Sequence, residues 1–357
     1  MEKREKGKRL KKYSREAREN LPPRRITPRA LEILEIVYRY RFIPTSMIVR
    51  LIAGDMRTTE RHLQNLYHEE FVNRWAFPSA YYSSEFNYYI DDKRALALLV
   101  SEKGYDPEKL DYDIVKRNRE KNYAEITMNR EMIKYQGRLM HLHHELMISR
   151  FHYMLEKACM NSGGKVQLLG FYQGSSLWNE VEAPKIQYDK DGNVRETEET
   201  EKIPHRPDAF FALHFPEKEG NDKAQYFFYE ADRMTTSLKK MQKKLRGHFQ
   251  YIVKQKKHVQ DYGIPRIRAV LVESIKDSWA YNLRACAAHP VVSGSKPSPL
   301  FWFTTSDIIF ERKVKTKIKS VEKEIPKYLD TPELVFAKIW ATPQDEEEDV
   351  ILQSLIE

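Results

Sequence analysis

Two short runs of apolar and aromatic residues constrain this chain more than any other feature. Residues 209–215 read AFFALHF and residues 224–232 read AQYFFYEAD. Each is short, nearly continuous in apolar character and closed by polar or acidic residues. That is the pattern of a strand buried on both faces rather than of an amphipathic helix. Such strands need layers on both sides, so the expectation is a mixed α/β sheet flanked by helices. Pro207 leads into the first run with Asp208 at its mouth, and the second ends in Glu230 and Asp232. Alternation along a strand points Glu230 and Asp232 the same way. If the runs pair, Asp208 lies beside them and three carboxylates converge just before a lysine-rich helix. Hard divalent cations such as Mg2+ and Mn2+ take oxygen ligands of this kind, and phosphodiester chemistry uses such sites.

The order around these strands supports an α/β reading for residues 142–310. A helix at 142–160 has Leu142, Leu146, Ile148, Phe151 and Leu155 at helical spacing. A strand follows at 166–172, then an acidic insert at 180–202 whose DKDG core signals a turn, read as an exposed hairpin or a mobile loop. After the central strands come a helix at 237–257, a strand at 266–273, a helix at 279–288 and a strand at 300–304. The helix at 237–257 carries Lys239, Lys240, Lys243 and Lys244, candidates for phosphate contact. Residues 311–357 read as an extension with an acidic run at 345–349.

Residues 26–104 predict a second domain. Thr27 and Pro28 open a helix, a second helix runs over about 44–52, and a third begins at Thr58, capped by Thr58 or Thr59. Two aromatic strands at 72–77 and 85–90 and a helix at 93–103 complete it. Three helices followed by a β-hairpin is the order of a winged helix-turn-helix, whose third helix enters the major groove. Arg57, Thr59, Arg61, His62 and Asn65 are suitable residues for phosphates and base edges. The same helices could instead form a dimerisation module. Residues 105–141 read as a charged linker.

The chain carries a net charge of +9 over 357 residues, which points to a polyanionic partner, here double-stranded DNA. Much of that charge sits in residues 1–25, read as a disordered basic arm that lies along phosphates or serves only solubility. The two cysteines, Cys159 and Cys286, lack metal-ligand spacing and suit a reducing cytoplasm. No apolar run is long enough to span a membrane. His141 and Glu145, an i,i+4 pair, are a weaker metal candidate.

The order helix, three strands, helix, strand, with Pro207-Asp208 and then Glu230-Ala231-Asp232, resembles the restriction-endonuclease-like or PD-(D/E)xK pattern. That resemblance implies two acids on Mg2+ and a lysine on the attacking water. Asp232 stands where the lysine belongs, Arg233 is next to it, and Lys240 or Lys244 from the following helix is placed to reach back. Glu145 could add a carboxylate. The combination of the N-terminal helices, HHELMISRF, RPDAFFAL, YFFYEADR-x-T and FWFTT resembles the replication-relaxation family of plasmids and integrative elements. The resemblance matches Glu230, Asp232, Arg233 and Thr235 to a family run, with Met234 where a glycine is expected. It implies a DNA-binding protein acting in plasmid-type replication or relaxation and transfer, with replication or transfer proteins as partners and a homodimer as one assembly. The alternatives are a metal-dependent nickase using Asp208, Glu230, Asp232 and Arg233, and a winged-helix transcriptional regulator.

Overall fold

The computed structural model describes Arg15 and residues 26–76, 85–115, 136–191, 193–309, 314–318, 321–325, 327–343 and 352–357. The fold is mixed α/β. The chain divides into two compact units, Met1–Ser149 and Arg150–Glu357.

In the first unit, α1 (Pro28–Tyr40) begins where Thr27 Oγ1 accepts a hydrogen bond from the Ala30 N–H at 3.2 Å, with Pro28 in the first turn where its missing N–H costs nothing. β1 (Ile43–Pro44) leads into α2 (Thr45–Leu51), and α3 spans Met56–His68. β2 (Val72–Ala76) and β3 (Phe86–Ile90) pair antiparallel, and β1 joins β3 to give the order β1-β3-β2. Leu34, Val37, Tyr40, Leu63, Leu66 and Trp75 are buried at the centre. α4 (Lys93–Lys103) starts on the Asp92 carboxylate and ends at Gly104, whose φ of 71° suits glycine.

The third helix starts earlier than the sequence suggests. Asp55, not Thr58 or Thr59, is its N-cap, its carboxylate accepting from the Thr58 N–H at 2.9 Å. Residues 105–115, expected in a linker, fold onto α1 instead. Tyr105 donates to Glu35 at 2.8 Å, Arg41 pairs with Asp111 at 2.8 Å, and Leu110, Ile114 and Val115 are buried. The rest of the expected linker up to residue 135 lies outside the described residues, as does the basic arm apart from Arg15. Arg15 is not open to phosphate: it pairs with Asp91 at 2.6 Å and donates to the Tyr67 and Val72 carbonyls.

α5 (Gln136–Asn161) gives its first part to the first unit and its last part to the second. The second unit is built on a seven-stranded sheet of order β14-β13-β10-β9-β8-β7-β4. Its strands are β4 (Gln167–Gln173), β7 (Ala209–His214), β8 (Ala224–Asp232), β9 (Ile267–Ser274), β10 (Phe301–Thr305), β13 (Trp340–Ala341) and β14 (Leu352–Gln353), while β11 (Val314–Ile318) and β12 (Val321–Ile325) pair with each other as a separate hairpin. β8, β9 and β10 run parallel, while β7 is antiparallel to both β4 and β8. The two aromatic runs are therefore neighbours, with Ala209 opposite Tyr229. β13 and β14 extend the sheet beyond residue 310, so part of the expected C-terminal extension belongs to this domain, with Trp340 fully buried.

One sheet face packs on α5, where Phe151 stacks on Tyr229 with centroids 4.1 Å apart. The other face is covered by α6 (Leu238–Phe249) and its π-helical continuation Gln250–Lys254, by α7 (Lys257–Tyr262) and by α8 (Asp277–Ala288). The acidic insert is a separate two-stranded ribbon of β5 (Asn179–Tyr188) and β6 (Val194–His205). Its inward residues Val181, Ala183 and Ile203 join the core on the α6 side. Gly247 makes this possible, because a Cβ there would stand 2.9 Å from the Pro204 carbonyl oxygen.

Candidate functional site

β7 begins where β8 ends, so Asp208 and Glu230 meet at one end of the sheet. Asp208 is fixed there by its backbone and its side chain. Its N–H donates to the Tyr229 carbonyl at 3.2 Å, and its Oδ2 accepts from the Ala231 N–H at 2.9 Å. α6 follows β8 after a short turn and runs back across the sheet. Met241, Leu245 and Phe249 anchor its buried face. Lys244 and His248, four residues apart and so on one face of the helix, are directed at Glu230.

The Lys244 ammonium pairs with Glu230 Oε2 and lies 3.6 Å from Asp208 Oδ2. His248 Nε2 is 2.6 Å from Glu230 Oε1. The other ring nitrogen, Nδ1, is 3.0 Å from His205 Nε2. His205 stacks flat on Tyr251, with centroids 3.9 Å apart and planes 4° from parallel. The result is a hydrogen-bonded file from Lys244 through Glu230 and His248 to His205, with the last three groups buried. With Glu230 as a carboxylate, the file assigns the tautomers: His248 Nε2–H donates to Glu230, and His205 Nε2–H donates to His248 Nδ1.

Burial pushes the Glu230 carboxyl well above its ordinary value, Asp208 adds to that, and the Lys244 ammonium works against it. Burial opposes charge on Lys244 too, but Asp208 and Glu230 outweigh it and hold the ammonium charged above its ordinary range. Burial keeps both histidines neutral. His205 falls to about 3, with the Lys244 and Lys257 charges adding to the effect. His248 is held well below its ordinary value.

The third expected acid, Asp232, stands within the field of Lys244 and Asp208, and its carboxylate also has hydrogen-bond partners of its own. Asp232 Oδ2 accepts from the Met234 N–H at 3.1 Å and from the Trp279 indole. This carboxylate caps the turn into α6, where Met234 adopts φ 60° in the position that favours glycine. Among the described residues no group of three His, Cys, Asp or Glu side chains is arranged to hold a metal ion. Arg233, in the same turn, is half-buried. Glu145 belongs to the first unit, and the side chain of His141 lies outside the described residues. The lysines of α6 divide: Lys239 and Lys240 are exposed, Lys243 pairs with Glu201 of β6 at 3.0 Å, and Lys244 turns inward.

Sequence reasoning missed His248 and Trp279. The signal for His248 was the i,i+4 spacing from Lys244 on the helix face that also carries Met241 and Leu245. A second buried acid also escaped it. Glu273, at the end of β9, accepts from Tyr229 at 2.7 Å and from Ser306 at 2.5 Å, and burial lifts it to about 7.

On α3 the candidate DNA-contact residues also divide. Arg57 and Arg61 are exposed, and His62 and Asn65 are half-buried. Thr59 is buried, its hydroxyl donating to the Asp55 carbonyl at 2.8 Å, so it is not the solvent-facing contact the sequence suggests. No helix of the described residues is long and apolar enough to cross a membrane.

No curated protein matches the chain at a significant level. The replication-relaxation family model matches residues 34–267. That span takes in most of the chain, from within α1 to the start of β9 and including Asp208, Glu230, Lys244 and His248, and the protein therefore belongs to the replication-relaxation family.

Proposed function

We propose that this protein binds duplex DNA through α3 in the replication or relaxation of a plasmid or mobile element, and that the second unit serves as a scaffold without a resident metal. Family membership fits the replication or relaxation role. The DNA reading is carried by one observation. Arg57 and Arg61, one helical turn apart, are exposed on α3, while Leu63, Leu66 and Tyr67 bury its opposite face. The order of α1 to α3 followed by the β2–β3 hairpin is that of a winged helix, in which such a face enters the major groove. The scaffold reading rests on Lys244. An internal cation already sits between Asp208 and Glu230, and the third acid is engaged by the turn into α6. The full chain should bind a labelled duplex, and the double variant Arg57→Ala/Arg61→Ala should lose most of that binding while keeping its melting temperature. Binding unchanged in the double variant removes α3 from the interface.

A second reading has its own support. An aspartate, a glutamate and a lysine within one cluster match the side chains of a restriction-endonuclease-like site, with the lysine arriving from α6 rather than β8. Two carboxylates already engaged by Lys244 are a poor fit to a divalent cation, so DNA binding remains the conclusion. Incubation of supercoiled plasmid with the protein and Mg2+ or Mn2+ decides between them. Nicking that vanishes in Asp208→Ala selects the nuclease; intact supercoils select the scaffold.

A further inference from the structure

Two large aromatic rings are exposed on either side of the strand entrance that carries Asp208. Trp178 is 48% exposed and Tyr172 is 55% exposed. Trp178 sits under Arg206, whose guanidinium lies 5.2 Å from the ring centroid. Tyr172 leans on Phe210, with centroids 6.3 Å apart. Arg206 and Phe210 stand two residues before and two residues after Asp208. The Cα atoms of Arg206 and Phe210 are therefore at most about 14 Å apart, and Asp208, with its Lys244 partner, stands between those two residues in the chain. The Arg206 guanidinium is exposed and forms no ion pair with a carboxylate among the described residues. The N-terminus of α6, with exposed Lys239 and Lys240, rises from the same end of the sheet.

We propose that this edge binds single-stranded DNA, with bases stacked on Trp178 and Tyr172 and phosphates drawn to Arg206. The proposal rests on the DNA reading above and adds a second, chemically different site to it. What sets these two rings apart is their place beside an exposed arginine at one strand entrance, and every base offers a face to stack on an aromatic ring or a guanidinium plane. A duplex keeps its bases stacked inside and cannot use such rings, so the ligand is a melted strand. Replication and relaxation of DNA both produce one. The neighbouring ribbon defines the limit of the path: exposed Glu180 and Glu182 on β5 repel phosphates and leave Arg206 and the α6 lysines as the attractive side.

The test uses the full chain and a labelled oligo-dT of about twelve nucleotides, within the usual single-strand site size. A labelled duplex is titrated in parallel. Trp178→Ala and Tyr172→Ala should each weaken oligo-dT binding by about tenfold, the size expected for one lost base stack, and leave duplex binding unchanged. Trp178→Phe should retain most of the affinity. Oligo-dT should also quench tryptophan emission in the wild type and quench it less in Trp178→Phe, a readout that does not need the alanine variants to fold. Duplex binding without oligo-dT binding would overturn this proposal alone, and binding of neither would overturn the DNA reading as well. Equal oligo-dT affinity in wild type and both alanine variants, or equal quenching in Trp178→Phe, would also overturn it.

Discussion

Lys244 stands between two carboxylates, paired with Glu230 and 3.6 Å from Asp208. Glu230 is 1% exposed, so its charge has no water to fall back on. Removing the ammonium leaves a buried acid that must either stay charged without a partner or take up a proton. Lys244→Ala should therefore destabilise the protein by on the order of 3 kcal/mol in urea unfolding. Adding Glu230→Gln should recover part of that loss, because the amide carries no charge to strand. A double variant as unstable as the sum of its parts would show that the two residues do not interact.

The histidine file sets a pH dependence. Both His205 and His248 are held neutral below the ordinary imidazole value, His205 down to about 3. The unfolded chain takes up protons on these rings below about pH 6.5, while the folded chain does not. Stability is then complete above that value and falls as the pH drops toward 3, by about 1.4 kcal/mol per pH unit for each histidine. Glu230 works in the opposite sense, because its raised value favours the folded state when protonated and that contribution fades as the pH rises. Melting curves between pH 7 and pH 4 should show a shallower decline in His205→Phe than in the wild type. Equal slopes would mean that His205 is protonated in the folded state.

Metal should not matter to the fold of the second unit. A cation that binds only the folded protein would add about 2.7 kcal/mol at a hundredfold excess over its Kd. With Lys244 as the internal cation, millimolar Mg2+ or Mn2+ should leave the melting temperature where EDTA leaves it. A metal-dependent rise that is lost in both Asp208→Asn and Glu230→Gln would restore the metal site.

The strand carrying Glu230 could be read from the sequence because nine residues of nearly unbroken apolar character leave few alternatives to a central strand. Asp208 was legible from its place at the mouth of the paired run. The choice between Lys240 and Lys244 was not, because it depends on the rotation of α6 over the sheet. That rotation is set by contacts of Met241, Leu245 and Phe249 with distant residues. Strand alternation places Asp232 on the same face as Glu230, and its carboxylate does feel Asp208 and Lys244; its second task, holding the Met234 N–H in the turn that follows β8, was not legible because it depends on the path of that turn. The start of α3 was misjudged by local competition: Asp55, Thr58 and Thr59 all have capping side chains, and the first of them caps the helix. The acidic insert became a ribbon because Val181, Ala183 and Ile203 find a core to bury in, which its charge pattern concealed.

Phosphate contact and base contact by α3 separate by salt. Each arginine that neutralises a phosphate steepens the dependence of log K on log salt by about one unit. Arg57→Ala should flatten that slope by about one if Arg57 touches the backbone, and should weaken cognate and random duplex alike. An unchanged slope would exclude Arg57 from phosphate contact.

The most direct test of the account is a titration of the full chain with two duplexes of equal length, one carrying a plasmid or mobile-element origin of replication or transfer and the other a scrambled version. The wild type should prefer the origin, and Arg61→Ala should lose about 1–3 kcal/mol on the origin and much less on the scrambled duplex. Origin and scrambled duplexes bound equally well by the wild type, or an origin affinity that ignores Arg61, would contradict the assignment of α3 as the DNA-reading helix.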